Sequence, residues 1–110
     1  MLRVDGTWWA QLDRGDKLAA VILATEAFED GYGDGYLRSA VRYASPSNAA
    51  KPIETLAADG PYFPHTYGFY VSAIDDYYAL HNKPKTPVAA VLSCLQIKPQ
   101  VSCDKVATHF

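Results

Sequence analysis

The 110-residue chain lacks the patterns that place a protein in a membrane or on nucleic acid. It has no run of about 18 apolar residues, which a spanning helix requires, so we expect no membrane insertion. Its basic side chains are spread along the chain, and Lys83 and Lys85 are the nearest approach to a cluster. Because phosphate contacts need several Lys or Arg side chains on one face, we expect no nucleic-acid partner.

The chain also lacks the patterns of catalytic and metal sites. The three histidines are scattered, no two of them are four positions apart, and no Gly-x-Ser-x-Gly motif occurs. Asp75 and Asp76 are adjacent, so on a helix they point about 100° apart and cannot share a proton as a carboxylate dyad does. We therefore predict no metal, no cofactor and no catalytic residue. The alternative is a small hydrolase or lyase that pairs Glu29 or Asp75 with a tyrosine.

One stretch, EDGYGDGYLRS, imitates two ligand-binding loops. A dinucleotide loop needs Gly-x-Gly-x-x-Gly after a strand, but the sixth position counted from Gly31 is Tyr36, and the preceding pattern is helical. A calcium loop that starts at Asp30 would have Val41 where a bidentate glutamate is required. The remaining interpretation is a helix in which Gly31 and Gly35 share one face. The missing side chains would then serve close packing of another helix, a break in the helix, or a shallow ligand groove.

The residues that are present predict an all-α fold. The composition, 49% hydrophobic and 20% charged, is typical of a compact domain, and we expect one domain over residues 1–110. Apolar residues recur at helical spacing, which predicts a single small bundle of three main helices plus one or two short helices. Trp8 and Trp9 are expected to close one end of the core.

The first main helix is predicted to begin after Asp13, which has Asp16 three positions on, a near relative of the capping box. Glu26 and the two acidic residues at positions 29 and 30 are expected to form a solvated face. The predicted buried stripe consists of Leu18, Val21, Ile22, Thr25, Phe28, Tyr32 and Tyr36.

Two further main helices are predicted. The second runs from about residue 65 to 82, with a largely aromatic buried face and with Asp75 accepting a hydrogen bond from a tyrosine while Asp76 faces water. The third has Thr86 as N-cap and Pro87 at its first position, and it ends at Pro99. A short helix within residues 49–60 and a last turn capped by Ser102 complete the prediction.

The cysteines bear on the compartment. If Cys94 and Cys103 are joined, they close a loop of about ten residues, and the alternative is two buried thiols. A disulfide would indicate an oxidising compartment. We expect a periplasmic or secreted protein whose leader has been removed, with a cytoplasmic protein as the alternative.

Tyrosine is the one compositional excess, with eight residues in the chain. The rings could belong to the core with their hydroxyls at its rim. The alternative is a tyrosine-lined groove in which Tyr32 and Tyr36 face Tyr70, Tyr77 or Tyr78. In that case the rings of Tyr32, Tyr36, Tyr70 and Tyr77 are expected to be partly exposed. Amphipathic aromatic residues of this kind are favoured at contact sites for proteins and small ligands.

Two stretches carry a further signal, GTWWAQLDRGDKLAAVILATEAFEDGYGDGY and IDDYYALHNKPKTPVAAVL. The order of motifs in them resembles a family of small exported bacterial proteins of unassigned activity. It implies a small helical protein, and the architecture is also similar to periplasmic acid-stress chaperones and toxin-neutralising immunity proteins. The matching positions are Trp8 or Trp9, Leu12, Asp13, Lys17, Gly31, Gly35, Asp75, Tyr77, Tyr78, Asn82, Pro87 and Val88.

The sequence therefore predicts a small exported helical binding module with a protein or small-molecule partner. An immunity or inhibitor protein that neutralises another protein is the second hypothesis, and the small hydrolase or lyase is the third. The sequence predicts neither the ligand nor the oligomeric state.

Overall fold

The fold is all-α over the part of the chain that the structure describes. The computed structural model describes residues 4–30, 53–58 and 62–110. Within these ranges there is no strand, and one 3-10 helix, Ile53–Thr55, lies within the segment 49–60 where a short helix was expected. The described α-helices are α1 (Gly6–Ala10), α2 (Arg14–Asp30), α3 (Tyr67–His81), α4 (Val88–Cys94) and α5 (Cys103–His109).

Side-chain caps fix where several of these helices begin. Asp5 accepts from the amides of Thr7 and Trp8 at 3.0 and 3.2 Å and so caps α1. Asp13 accepts from the Asp16 amide at 2.8 Å, which confirms the predicted start of α2. Each cap satisfies backbone donors that have no partner inside the helix.

The buried stripe of α2 differs from the prediction at its C-terminal end. Leu18, Val21, Ile22 and Thr25 are buried as expected. Phe28 is 39% exposed, although its ring packs edge-on against Phe63 with centroids 5.6 Å apart. The expectation that Glu26 is solvated is wrong, because its side chain is fully buried. The physical reason is its position four residues after Ile22, which places it on the same helix face as the core.

Helix α3 is the centre of the core. Thr66 caps its N-terminus by accepting from the Phe69 amide at 3.2 Å, and Asn82 ends it in the left-handed conformation with φ 51°. The buried side of this helix packs against α2 and the 3-10 helix. It consists of Tyr67, Gly68, Tyr70, Val71, Ile74 and Tyr77.

Helix α4 begins one residue later and ends earlier than predicted. Its N-cap is Pro87, without a side-chain hydrogen bond, and the helix ends at Cys94, well before Pro99. Thr86 is not the cap, because its side chain is fully buried and Oγ1 has no hydrogen-bond partner among the described residues. Its carbonyl accepts from the Tyr78 hydroxyl at 2.7 Å, so tertiary packing holds this residue.

The start of the described chain pairs with the turn before α4. The Gly6 amide donates to the Pro84 carbonyl at 2.9 Å, and the Val88 amide donates to the Val4 carbonyl at 2.9 Å. Gly6 is required there, because a Cβ at this position would lie 2.6 Å from the Tyr78 ring. These contacts hold the start of the described chain and α1 against the segment between α3 and α4.

No helix in the described ranges is both long enough and apolar enough to cross a bilayer.

Candidate functional site

The predicted tyrosine groove is not formed by Tyr70 and Tyr77. Their side chains are 0% and 4% exposed, so these two rings belong to the core, as the first interpretation has it, and do not line an exposed groove. The rings lie on the core side of α3, where the Tyr70 hydroxyl accepts from the His65 amide at 3.2 Å. Tyr32 and Tyr36 lie outside the described residues, and so do Gly31 and Gly35. Their proposed roles stay predictions.

Tyr78, next to Tyr77, is also held by the fold. Its hydroxyl donates to a backbone carbonyl, and its ring lies against α1. Burial, with the nearby Asp5 carboxylate and then Tyr77, raises the pKa of the Tyr78 hydroxyl well above its ordinary value. The phenol therefore stays protonated and acts as a hydrogen-bond donor within the fold.

Asp75 takes part in a structural cluster between helices. One oxygen, Oδ1, accepts from Trp9 Nε1 at 2.7 Å and from Lys17 Nζ at 2.9 Å. The same ammonium group lies 5.4 Å from the Trp9 ring centroid, within cation–π range. The expected tyrosine donor is therefore wrong, and an indole and a lysine take its place. The cluster ties α1 and α2 to α3, while Asp76 is exposed as predicted.

The predicted disulfide is present and joins α4 to α5. Cys94 at the end of α4 is bonded to Cys103 at the start of α5, with Cα atoms 5.0 Å apart. The Ser102 hydroxyl accepts from the Lys105 amide at 3.3 Å and caps α5, as expected. The disulfide and the cap together fix α5 beside α4 as a cross-linked helical hairpin.

A cavity of about 450 Å³, here called the hairpin groove, opens between these two helices. Helix α4 contributes Ala90 and Ser93, which are three positions apart, and α5 contributes Lys105, Val106 and His109. Two exposed apolar side chains stand at its edges, Val101 at 47% and Phe110 at 45%. The described lining is Ala90, Ser93, Val101, Lys105, Val106, His109 and Phe110.

A second cavity of about 300 Å³, here called the amide cavity, adjoins the hairpin groove. Both cavities are lined by Ser93 and Val101, so they meet at these residues. The amide cavity adds Phe28 from α2 and the side chains of Gln96 and Gln100. The two cavities fall within or near the size range of small-ligand sites, which is about 300 to 1,000 Å³.

Two titratable side chains, Lys105 and His109, belong to the described lining of the hairpin groove and lie four residues apart on α5. Asp104 points elsewhere: its carboxylate is 94% exposed and lies 3.9 Å from His81 Nε2. The hairpin groove therefore combines apolar side chains with one lysine and one histidine.

The structure offers no metal-binding arrangement in its described ranges, because no group of three or more His, Cys, Asp and Glu side chains converges there. The groove residues were not predicted from the sequence. Two signals for them exist: the spacing of the two cysteines, and the i, i+4 placement of Lys105 and His109 beside Val101 and Phe110.

The fold and site thus define a disulfide-linked all-α protein with a groove on its C-terminal hairpin. Comparison of the chain with known protein families, curated proteins and solved structures gives no match.

Proposed function

We propose that the protein is a small exported binding module and that the hairpin groove is its recognition surface. The observation that carries the proposal is the groove itself, a largely apolar concavity on a cross-linked pair of helices. A disulfide that fixes both walls reduces the ordering cost of binding. Exposed apolar side chains grouped around a concavity are typical of interaction sites.

The compartment is part of the proposal. Disulfides form and persist in oxidising compartments and are rare in the cytosol. The Cys94–Cys103 bond therefore supports a periplasmic or extracellular location.

The experiment is a ligand screen read by amide chemical shifts. Isotope-labelled protein is titrated with a fragment library and with pooled random peptides. We expect hits that shift a contiguous set of amides on α4, α5 and the loop between them. Hits that cluster elsewhere on the molecule, or no hits at all, would refute the groove as recognition surface.

A matched pair of variants separates binding from stability. Val101→Asp should weaken every groove hit at least about tenfold, because it places a charge on the apolar edge. Leu80→Asp is the control, since Leu80 is 77% exposed and lines neither cavity. Both exposed substitutions should change stability by less than about 0.5 kcal/mol.

A further inference from the structure

We propose that the Cys94–Cys103 disulfide is a one-sided site for thiol exchange, in which a small-molecule thiolate bonds to Cys103 and releases Cys94 as a thiol. This reaction goes beyond the proposed binding function and does not depend on what the hairpin groove binds. Three features support it: the unequal burial of the two cysteines, the surroundings of the buried one, and the way in which the bond holds α5.

The two ends of the disulfide differ in access. Cys94 lies on the buried side of α4 and is 6% exposed. Cys103 is the first residue of α5 and is half-buried, with exposed residues on both sides, Ser102 and Asp104. A thiolate must reach the sulfur that it attacks, so the rate of exchange depends on access. Cys103 is therefore the end of the bond that a thiol reaches first.

The leaving group acts against this direction, but access outweighs it. Attack on Cys103 makes Cys94 the leaving thiolate, and a thiolate in apolar surroundings leaves slowly. That effect lowers the rate gradually, whereas a sulfur out of reach does not react until the structure opens locally. The released Cys94 also has a partner in place, because its Sγ lies 2.9 Å from the Val91 carbonyl oxygen, to which a thiol can donate.

The exchange balances with the thiol as the one added reactant. The incoming sulfur forms a bond to Cys103 Sγ, and the bond between the two cysteine sulfurs breaks. The electron pair of that bond leaves with Cys94 Sγ, which then takes a proton from water. One disulfide replaces another, so there is no net oxidation or reduction. The product is a mixed disulfide on Cys103 beside a buried Cys94 thiol.

Exchange at Cys103 would loosen α5. Once the covalent bond to α4 is broken, this helix keeps two buried side chains, Val106 and Ala107, and the 3.9 Å contact between Asp104 and His81. Because the hairpin groove lies between α4 and α5, one of its walls becomes mobile. The disulfide thus links the thiol concentration around the protein to the shape of the groove.

The test treats the folded, oxidised protein with 2-mercaptoethanol, a thiol whose charge is confined to the reacting sulfur. The reaction is stopped early with acid, and free thiols are alkylated with N-ethylmaleimide in denaturant. Trypsin leaves both cysteines on one peptide, residues 86–105, because Lys98 is followed by Pro99. Fragmentation of this peptide in a mass spectrometer gives the ratio of mixed disulfide on the two cysteines. The same reaction in concentrated urea is the control.

In the folded protein we expect at least about ten mixed disulfides on Cys103 for each one on Cys94. In urea, where both sulfurs are accessible, the ratio should lie within about twofold of one. A matched pair of variants gives a second measurement. The single thiol of Cys94→Ala should react with N-ethylmaleimide at least about tenfold faster than the single thiol of Cys103→Ala.

The loosening of α5 has its own readout. In Cys94→Ala with a mixed disulfide on Cys103, amide hydrogen exchange in α5 should be at least about tenfold faster than in the oxidised wild type. Unchanged protection of these amides would contradict the link between exchange and the groove.

Three labelling outcomes would overturn the proposed site. Equal labelling of the two cysteines in the folded protein would show that burial does not direct the attack. A preference for Cys94 would show that the leaving group decides the direction. If the mixed disulfide forms only at urea concentrations that unfold the protein, the bond is closed to thiols in the folded state. The ligand screen of the hairpin groove is run without thiols, so it succeeds or fails separately.

Discussion

Reduction of the Cys94–Cys103 disulfide should lower the stability of the protein by an amount that follows from the chain length it closes. The two cysteines are nine positions apart, so the loop contains ten residues with both ends counted. The chain-entropy relation gives about 2.7 kcal/mol at 25 °C for a loop of about ten residues. For a domain of about 110 residues this corresponds to a decrease in the melting temperature of about 12 °C.

The effect should be largest in α5. Its main described packing partner is α4, and two of its side chains, Val106 and Ala107, are buried at 6% and 7% exposure. Without the covalent bond, seven residues of helix are held by that small apolar contact and by the Ser102 cap. We therefore expect amide hydrogen exchange to accelerate in α5 before it does so in α3.

The assay is thermal unfolding followed by circular dichroism, with and without a phosphine reductant. The control is the double variant Cys94→Ala/Cys103→Ala, which should melt near the reduced wild type and should not respond to the reductant. A wild-type shift of less than about 3 °C would refute the reasoning, since it would mean that the cross-link constrains the unfolded chain far less than the loop length requires.

The further predictions concern single residues of the described chain. In urea unfolding, Tyr77→Phe should be neutral or stabilising by up to about 1 kcal/mol, because the buried Tyr77 hydroxyl has no partner among the described residues. Tyr78→Phe should cost about 1 to 2 kcal/mol, because it removes the hydrogen bond from the Tyr78 hydroxyl to the Thr86 carbonyl. Because the pKa of Tyr78 is raised in the folded state, the stability that its hydroxyl contributes should be fully present below about pH 10 and should be lost as the pH rises further. Unfolding measured as a function of pH should show a smaller loss above about pH 10 in Tyr78→Phe than in the wild type. Gly68→Ala should lower the stability by about 1 kcal/mol, because the added Cβ would lie 2.8 Å from the Glu54 backbone oxygen. Gly15→Ala is the matched control: its Cβ would meet no atom closer than 3.5 Å, so the better helix propensity of alanine should raise the stability by up to about 1 kcal/mol. Asp75→Asn should lower the stability by about 1 to 2 kcal/mol at low salt and by less at high salt, because salt screens the ion pair with Lys17. A stability difference that is the same at both salt concentrations would contradict the ion pair.

The sequence predicted those features that depend on neighbouring residues. Asp13 and Ser102 were identified as caps because a cap needs only its own side chain and an amide three positions on. The disulfide also follows from chain proximity, although the sequence alone left free thiols as an alternative. All-α architecture followed from the helical spacing of apolar residues over three long segments.

The errors arise where distant elements meet. Glu26 was assigned to solvent from its charge, and Thr86 to a cap from its type, but packing from other helices buries both. Whether Tyr70 and Tyr77 belong to the core or line a groove was left open, because helical spacing cannot tell a core face from a groove. The hairpin groove was missed because it exists only once α4 and α5 are brought side by side.

The pairing of the first described residues with the turn before α4 has a consequence for the order of events during synthesis. The Val4 carbonyl and the Gly6 amide find their partners at Val88 and Pro84, roughly 80 residues further along the chain. At about 5 to 20 residues per second, the ribosome needs about 4 to 16 s to make those partners. The tertiary contacts of α1 therefore form only after most of the chain has been made, and until then Trp8 and Trp9 are accessible to chaperones and proteases.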